Sequence, residues 1–286
     1  MVTKEEKPWS PRSRASSFYG DPKATSPYPL SRSKLENSYR CPRCFWIDRV
    51  AGMAFSDMVR MNLNLQIDAI LKDEFDACRG VGPHPYMTAN GLGHMMPLDH
   101  PEIDNWRNNA KGISTVRNDI KYRGSVDDMW VSNLGTEDEL WHVVDYKSTA
   151  TNEDLTLDLC LEDIYKQAIV RQLAIYQWLF REAGYPISTV GYFVYENADK
   201  TATELLNNGS NAGPNTVRGL PFREVTVIEV DTADPNIVID GERINFDWVE
   251  GIADEAHRIL NLKSPPPPNP LCKFCAASTA IRSAFP

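Results

Sequence analysis

Long apolar runs are missing from this 286-residue chain, and so is any surplus of positive charge. No stretch approaches the roughly 20 apolar residues that a membrane-spanning helix needs. The opening MVTKEEKPWSPRSR has none of the apolar core of a signal peptide. The expected location is therefore the cytoplasm, with no membrane partner. Lysine and arginine number 30 against 39 aspartates and glutamates, a formal net charge of -9. That argues against a protein that coats nucleic acid, since phosphate contacts draw on Lys and Arg. It leaves room for a site that gathers carboxylates around cations beside a local basic groove. Cysteine is sparse too, at six residues, and in a chain without an export signal these are expected as thiols or metal ligands rather than disulfides.

What is present has a clear order. Residues 1–30 are rich in Pro and Ser with little apolar period and read as a flexible arm. Residues 31–286 read as a single domain. Ser31 or Ser33 is a candidate cap for a short helix carrying Leu35 and Tyr39. Leu63, Ile67, Ile70, Leu71 and Phe75 then fall at helical spacing, with Gly80 as a stop. Residues 80–112 hold His84, His94 and His100 and show no period, which reads as a long connection. STVRNDIKYRGSVDDMWVSN and ELWHVVDYKST are β-favouring and read as an antiparallel pair or meander. LEDIYKQAIVRQLAIYQWLFREAGY predicts one long helix with Ile164, Ala168, Leu173, Ile175, Tyr176 and Leu179 on its apolar side. STVGYFVYEN and PFREVTVIEV predict two more strands separated by a polar surface insertion, TATELLNNGSNAGPNTVRG. A last helix within INFDWVEGIADEAHRILNL leads to SPPPPNP, a stiff extended connector. The fold class expected is α/β, a mixed central sheet flanked by helices.

Three short motifs bear on chemistry. In HVVDYKST, strand alternation puts Asp145 and Lys147 on one face and Tyr146 on the other. Alone, such a pair is most often a surface ion pair. GSVD places Asp127 three residues after Gly124, where a strand pairing would set it beside Asp145. Two carboxylates suit a hard divalent cation such as magnesium, and a lysine beside them suits charge developing on a phosphate. Gln172 and Tyr176 lie four apart on one helix face. The amide suits a phosphate or the lysine, and the phenol suits placing the strand.

G-x-x-D, then D-x-K, then Q-x-x-x-Y, here GSVD, DYK and QLAIY, resembles the PD-(D/E)XK nuclease superfamily, in particular its RecB-like exonuclease branch. The resemblance covers most of residues 31–286 and implies a restriction-endonuclease-like core that hydrolyses DNA, single-stranded or free-ended, using magnesium or manganese. Carried over, Asp127 and Asp145 would hold the cation with the Tyr146 carbonyl, Lys147 would assist the water or transition state, and Gln172 and Tyr176 would support the site. A further ligand is expected on an early helix, with Asp68 the first candidate and Glu74 the second.

CPRC (Cys41, Cys44) and CKFC (Cys272, Cys275) bracket this core and together suit one four-thiolate metal site, zinc or a [4Fe-4S] cluster. Such a site would staple the N-terminal helix to the C-terminal tail. The bracketing resembles the iron-sulfur nucleases of the same superfamily, CRISPR-associated exonucleases among them, and implies a [4Fe-4S] cluster, with zinc as the alternative. Those families usually carry one cysteine upstream and three downstream, whereas this chain carries two and two. A rival from another class is a noncatalytic nucleic-acid-binding or assembly module of nuclease-like fold, stapled by zinc.

Overall fold

The computed structural model describes residues 18–20, 24–53, 62–151, 153–163, 166–197 and 225–284, with no account of the side chains of residues 62–66 and 282. Two compact units are interleaved along the chain. One takes residues 1–59, 116–122 and 250–286, and the other takes 60–115 and 123–249.

In the first unit, β1 (Tyr28–Ser31) begins inside the stretch read as an arm, and Tyr28 and Leu30 are buried. The remainder of the proposed arm that could carry its flexibility, residues 1–17 and 21–23, lies outside the described residues. Ser31 stands at the N-cap of α1 (Arg32–Arg40) but makes no side-chain capping bond. Cys41 separates α1 from α2 (Pro42–Arg49), which Pro42 opens at its first position, where a missing N–H costs nothing. The tip of a hairpin, β3 (Ile113–Arg117) and β4 (Ile120–Gly124), turns through Asn118 and Asp119, both at positive φ, the backbone of a tight primed turn. Asp119 gives its carbonyl to the Tyr28 N–H at 2.9 Å. Residues 250–260 of α8 (Phe246–Leu260) belong here as well. The proline run that follows forms no helix or strand, and Arg43 Nη1 donates to the Pro266 carbonyl at 2.8 Å. It leads to α9 (Lys273–Ala284).

The second unit is built on a five-stranded sheet. Its strands are β2 (Met95–Pro97), β5 (Asp128–Ser132), β6 (Leu140–Thr149), β7 (Val190–Asn197) and β8 (Val225–Asp231), in that spatial order. β6 and β7 run parallel and the other neighbours antiparallel, so the sheet is mixed, as expected. α3 (Asn62–Asp76) packs Ile67, Leu71 and Phe75 against Trp130, Val144, Tyr146, Tyr192 and Val194. These strand residues alternate, so they define one face. α7 (Gln167–Glu182) covers the other, where Gly191 lies so close to it that a Cβ would sit 2.6 Å from Leu173 Cδ1.

Two expectations are corrected here. Residues 80–112 are not a bare connection, for they hold α4 (Pro85–Ala89), β2 and α5 (Ile103–Trp106). These elements are too short to show a period, and β2 is the edge strand of the sheet. His84 caps α4, its Nδ1 accepting from the Tyr86 N–H at 3.1 Å. The long helix is in fact two, α6 (Leu157–Glu162) and α7, because Asp163 is extended (φ -76°, ψ 116°) and ends the first. Ile164 and the polar insertion at 201–219 lie outside the described residues.

Candidate active site

The paired register of β5 and β6 ends at Asp128 opposite Val144. One residue further, the strands fork. Asp127 swings its carboxylate across the fork, and its Oδ2 accepts the Tyr146 N–H at 2.9 Å. A side chain thus takes the place of the next ladder bond. β6 continues, held among the described strands by β7 alone, with Asp145 opposite Phe193 and Lys147 opposite Tyr195. Asp145 and Lys147 share a face, as the alternation requires, and their charged ends form an ion pair.

Asp145 is buried to 1% exposure, which for a carboxylate demands partners. Gln172 Nε2 donates to its Oδ1 at 2.8 Å, and the same nitrogen lies 3.3 Å from Tyr176 Oη. Gln172 and Tyr176 are not in the wall of the adjacent cavity; they stand behind the carboxylate and hold it. Tyr176 also explains Gly124. A Cβ on Gly124 would come within 2.5 Å of the Tyr176 ring, so glycine alone lets β4 pass close beneath α7.

That cavity, of about 290 Å³, is lined by Asp127, Tyr146, Lys147 and Ser148 on the sheet side, Ile67, Asp68 and Lys72 from α3, and Arg107, Asn109 and Ser125 from the connections. Asp68 and Lys72 each lie one residue beyond an apolar contact of α3, so the helix that packs by Ile67 and Leu71 turns its next stripe into the cavity. Lys72 Nζ bonds Asp68 Oδ2 at 2.8 Å and reaches Asp127 Oδ1 at 3.8 Å. Burial first, and the nearby Asp145 charge second, push Asp127 up to about 6, against the pull of Lys147, Lys72 and the Tyr146 amide. Asp68 is raised as well, by burial and then by Asp127.

Behind the cavity, Tyr146 Oη donates to Asp128 Oδ2 at 2.7 Å. Arg79 Nη2 donates to Asp128 Oδ1 at 2.5 Å, Arg79 Nη1 to the Leu98 carbonyl and Arg79 Nε to Asp76 Oδ1. Fully buried Asp128 is therefore a structural acid, while its neighbour Asp127 faces the cavity.

Of the residues expected from sequence, Asp127, Tyr146, Lys147 and Asp68 line one cavity, and Asp145, Gln172 and Tyr176 form the hydrogen-bonded group beside it. Glu74, the second choice for a helix ligand, is buried and outside the lining. Lys72 and Arg107 were not foreseen. The i,i+4 spacing of Lys72 from Asp68 was a usable signal; Arg107 had none.

Residues 96–280, well over half of the chain, match the model of the PD-(D/E)XK nuclease superfamily. The chain belongs to that superfamily. Its members are mostly nucleases and commonly use divalent metals. No curated protein matches the sequence significantly. One solved structure, titled "Crystal structure of SSO0001", aligns over 88% of this chain and 84% of that chain at 16% identity, with a TM-score of 0.32, an overlap too loose to carry any argument. The superfamily match contains Asp127, the Asp145 to Lys147 strand, Gln172 and Tyr176. Asp68, Lys72 and the first cysteine pair lie upstream of it.

The four cysteines come together in the first unit. Their sulfurs lie within 4.8 Å of one another, with Cys41 to Cys275 at 3.6 Å, Cys44 to Cys272 at 3.6 Å and Cys44 to Cys275 at 3.8 Å. These separations are far longer than a disulfide bond. The group is a four-thiol site able to take a metal such as zinc or an iron-sulfur cluster. Burial raises Cys41 to about 11 and, with its sulfur neighbours, drives Cys44 upward; backbone N–H groups and the Cys44 and Cys41 thiols outweigh burial at Cys272 and lower it. Trp46 Nε1 donates to the Leu262 carbonyl at 2.9 Å and Asn269 Nδ2 to the Arg40 carbonyl at 2.9 Å, so the tail is tied down on both sides of the prolines. Among the described residues, no helix is long and apolar enough to cross a membrane.

Proposed function

We propose that the chain is a magnesium- or manganese-dependent deoxyribonuclease of the RecB-like exonuclease branch, cutting single-stranded or free-ended DNA. The observation that carries this reading is the fork of β5 and β6, where Asp145 and Lys147 share a face and Asp127 bonds the amide between them. The donor set suits a hard cation: Asp127, Asp68 and Tyr146 supply oxygens in the lining, Asp145 stands just beside it, and the lining holds no sulfur or imidazole. When bound, such a cation activates water and offsets charge on the phosphate. Gln172 keeps the Asp145 carboxylate in one orientation. Lys147 places a mobile positive charge where the attacked phosphate gains negative charge. Tyr146, pinned by Asp128 on the opposite face, fixes the strand between the two.

For the thiol site, the sulfur spacing supports zinc over the cluster implied by the resemblance. A tetrahedron with Zn–S bonds of about 2.3 Å has edges of about 3.8 Å, close to the 3.6 to 3.8 Å of three of these pairs, with all four sulfurs within 4.8 Å. A cubane ties each thiolate to a different iron and spreads the four sulfurs further apart. Zinc and iron content of anaerobically purified protein, with its visible spectrum, decides between them. Six cysteines without a disulfide also fit a reducing compartment, which supports a cytoplasmic location.

The direct test uses end-labelled single- and double-stranded DNA with magnesium, manganese or chelator. Asp145→Ala and Lys147→Ala are each expected to lower cleavage by about a thousandfold or more while leaving the fold intact. Unchanged cutting by both variants refutes the assignment. Metal-independent binding without cleavage by the wild type points instead to the noncatalytic module.

A further inference from the structure

Asp76, at the end of α3, is shared by two arginines that use it differently. Arg79 spends all three of its nitrogens, on Asp76, the Leu98 carbonyl and Asp128. It is a structural cross-link, engaged at every nitrogen. Arg107 donates only through Nη1, to Asp76 Oδ1 at 2.8 Å and Oδ2 at 3.0 Å. Its Nε and Nη2 make no hydrogen bond to any described residue. Those two nitrogens point their N–H groups along one edge of the guanidinium, the edge that grips two oxygens of a phosphate or carboxylate at once.

The surroundings restrict what that edge can meet. Arg107 lines the cavity, yet its side chain is only 9% exposed. The stem is therefore packed away while the free Nε and Nη2 edge stays open to the cavity, available to an anion that enters it. The charge of Arg107 is felt at Asp68, across the same cavity. Asp76 holds the guanidinium through both carboxylate oxygens, and against the upward push of burial is itself kept below the ordinary aspartate range by Arg107 and Arg79. Beside it, Asn109 is oriented by Ser125, whose hydroxyl donates to Asn109 Oδ1 at 2.6 Å; that leaves the amide nitrogen of Asn109, which also lines the cavity, as a second donor.

We infer that Arg107 is a substrate-binding residue: through its Nε and Nη2 edge it clamps one backbone phosphate of the nucleic-acid strand lying in this cavity, with Asn109 as a second donor. This rests on the phosphodiesterase reading and adds a specific anionic subsite to it. Held from behind by Asp76, the clamp is preorganised, so its contribution appears in binding and in the position of the strand rather than in the chemistry of bond cleavage.

The experiment walks a single uncharged methylphosphonate along a short single-stranded DNA and measures KM, kcat and the salt dependence of binding for wild type, Arg107→Gln and Arg107→Lys. Wild type is expected to lose about ten- to a hundredfold in affinity when one particular phosphate is neutralised. In Arg107→Gln that position becomes indifferent to neutralisation while the other positions keep their penalties, and the slope of log affinity against log salt falls by about one. Arg107→Lys keeps the charge and loses the fork, so the penalty at that position shrinks without vanishing; should the glutamine variant fail to fold, this variant decides. A wild-type pattern of penalties in a folded Arg107 variant overturns the inference and leaves the nuclease reading standing. Failure of the wild type to bind or cut any strand brings down both.

Discussion

Gly124 and Tyr176 belong to two motifs that look independent in the sequence, and the structure makes them one contact. A methyl group at Gly124 would meet the Tyr176 ring at 2.5 Å, and Tyr176 stands beside the amide of Gln172 that holds Asp145. Gly124→Ala is expected to cost about 1–3 kcal/mol by overpacking and to lower activity by disturbing Gln172. In a Tyr176→Leu background the same substitution should cost less than half as much, as read by denaturant melts in a double-mutant cycle. Equal costs in both backgrounds would mean that the ring is not what excludes a side chain. Asp127 supplies a pH signature. Its folded value near 6 lies above the ordinary aspartate value of 3.8, so the native state holds this proton more tightly than the unfolded chain does. The stability this gives is fully present below pH ~4 and is lost as pH rises through about 6. Asp127→Asn should therefore stabilise the cation-free protein at pH 8 relative to pH 4, on the order of 2 kcal/mol. A flat difference between the two proteins across that range contradicts the shift.

β6 and α7 show why some of this was legible in advance. Alternation along a strand puts Asp145 and Lys147 on one face whatever the rest of the fold does, and a four-residue step on a helix does the same for Gln172 and Tyr176. Those placements are local and could be read from spacing. Lys72 and Arg107 enter the cavity for non-local reasons: α3 crosses the opposite face of the sheet, and the connection before β3 runs back past the end of α3. Residues 80–112 carry no period, so nothing in them announced an edge strand, a histidine cap or a basic cavity wall. The break at Asp163 was hidden similarly, because α6 and α7 both carry apolar residues at helical spacing and α6 ends at an extended Asp163.

Across the molecule the two chemistries are segregated. Every residue of the candidate active site lies in the unit of residues 60–115 and 123–249, and all four thiols lie in the other. Metal at the thiols should therefore govern the unit that contains them. Removing it by chelation, or by Cys44→Ser, is expected to speed amide exchange in α1, α2 and α9 by about tenfold or more, with the β5, β6 and β7 amides of the central sheet keeping most of their protection. Uniform loss of protection in both units would show that the thiol site staples the whole chain rather than its own unit.

The fork at Asp127 has one more consequence, for behaviour in solution rather than for catalysis. Beyond Val144, strand β6 is paired on one side only among the described residues, so the half-exposed stretch from Lys147 to Thr149 is an edge of the kind that recruits a strand from a second molecule. Charges inside such an edge are a common defence against sticking. Lys147, and Asp127 capping the Tyr146 amide, therefore also guard this edge, and a protein stripped of them is expected to become more adhesive.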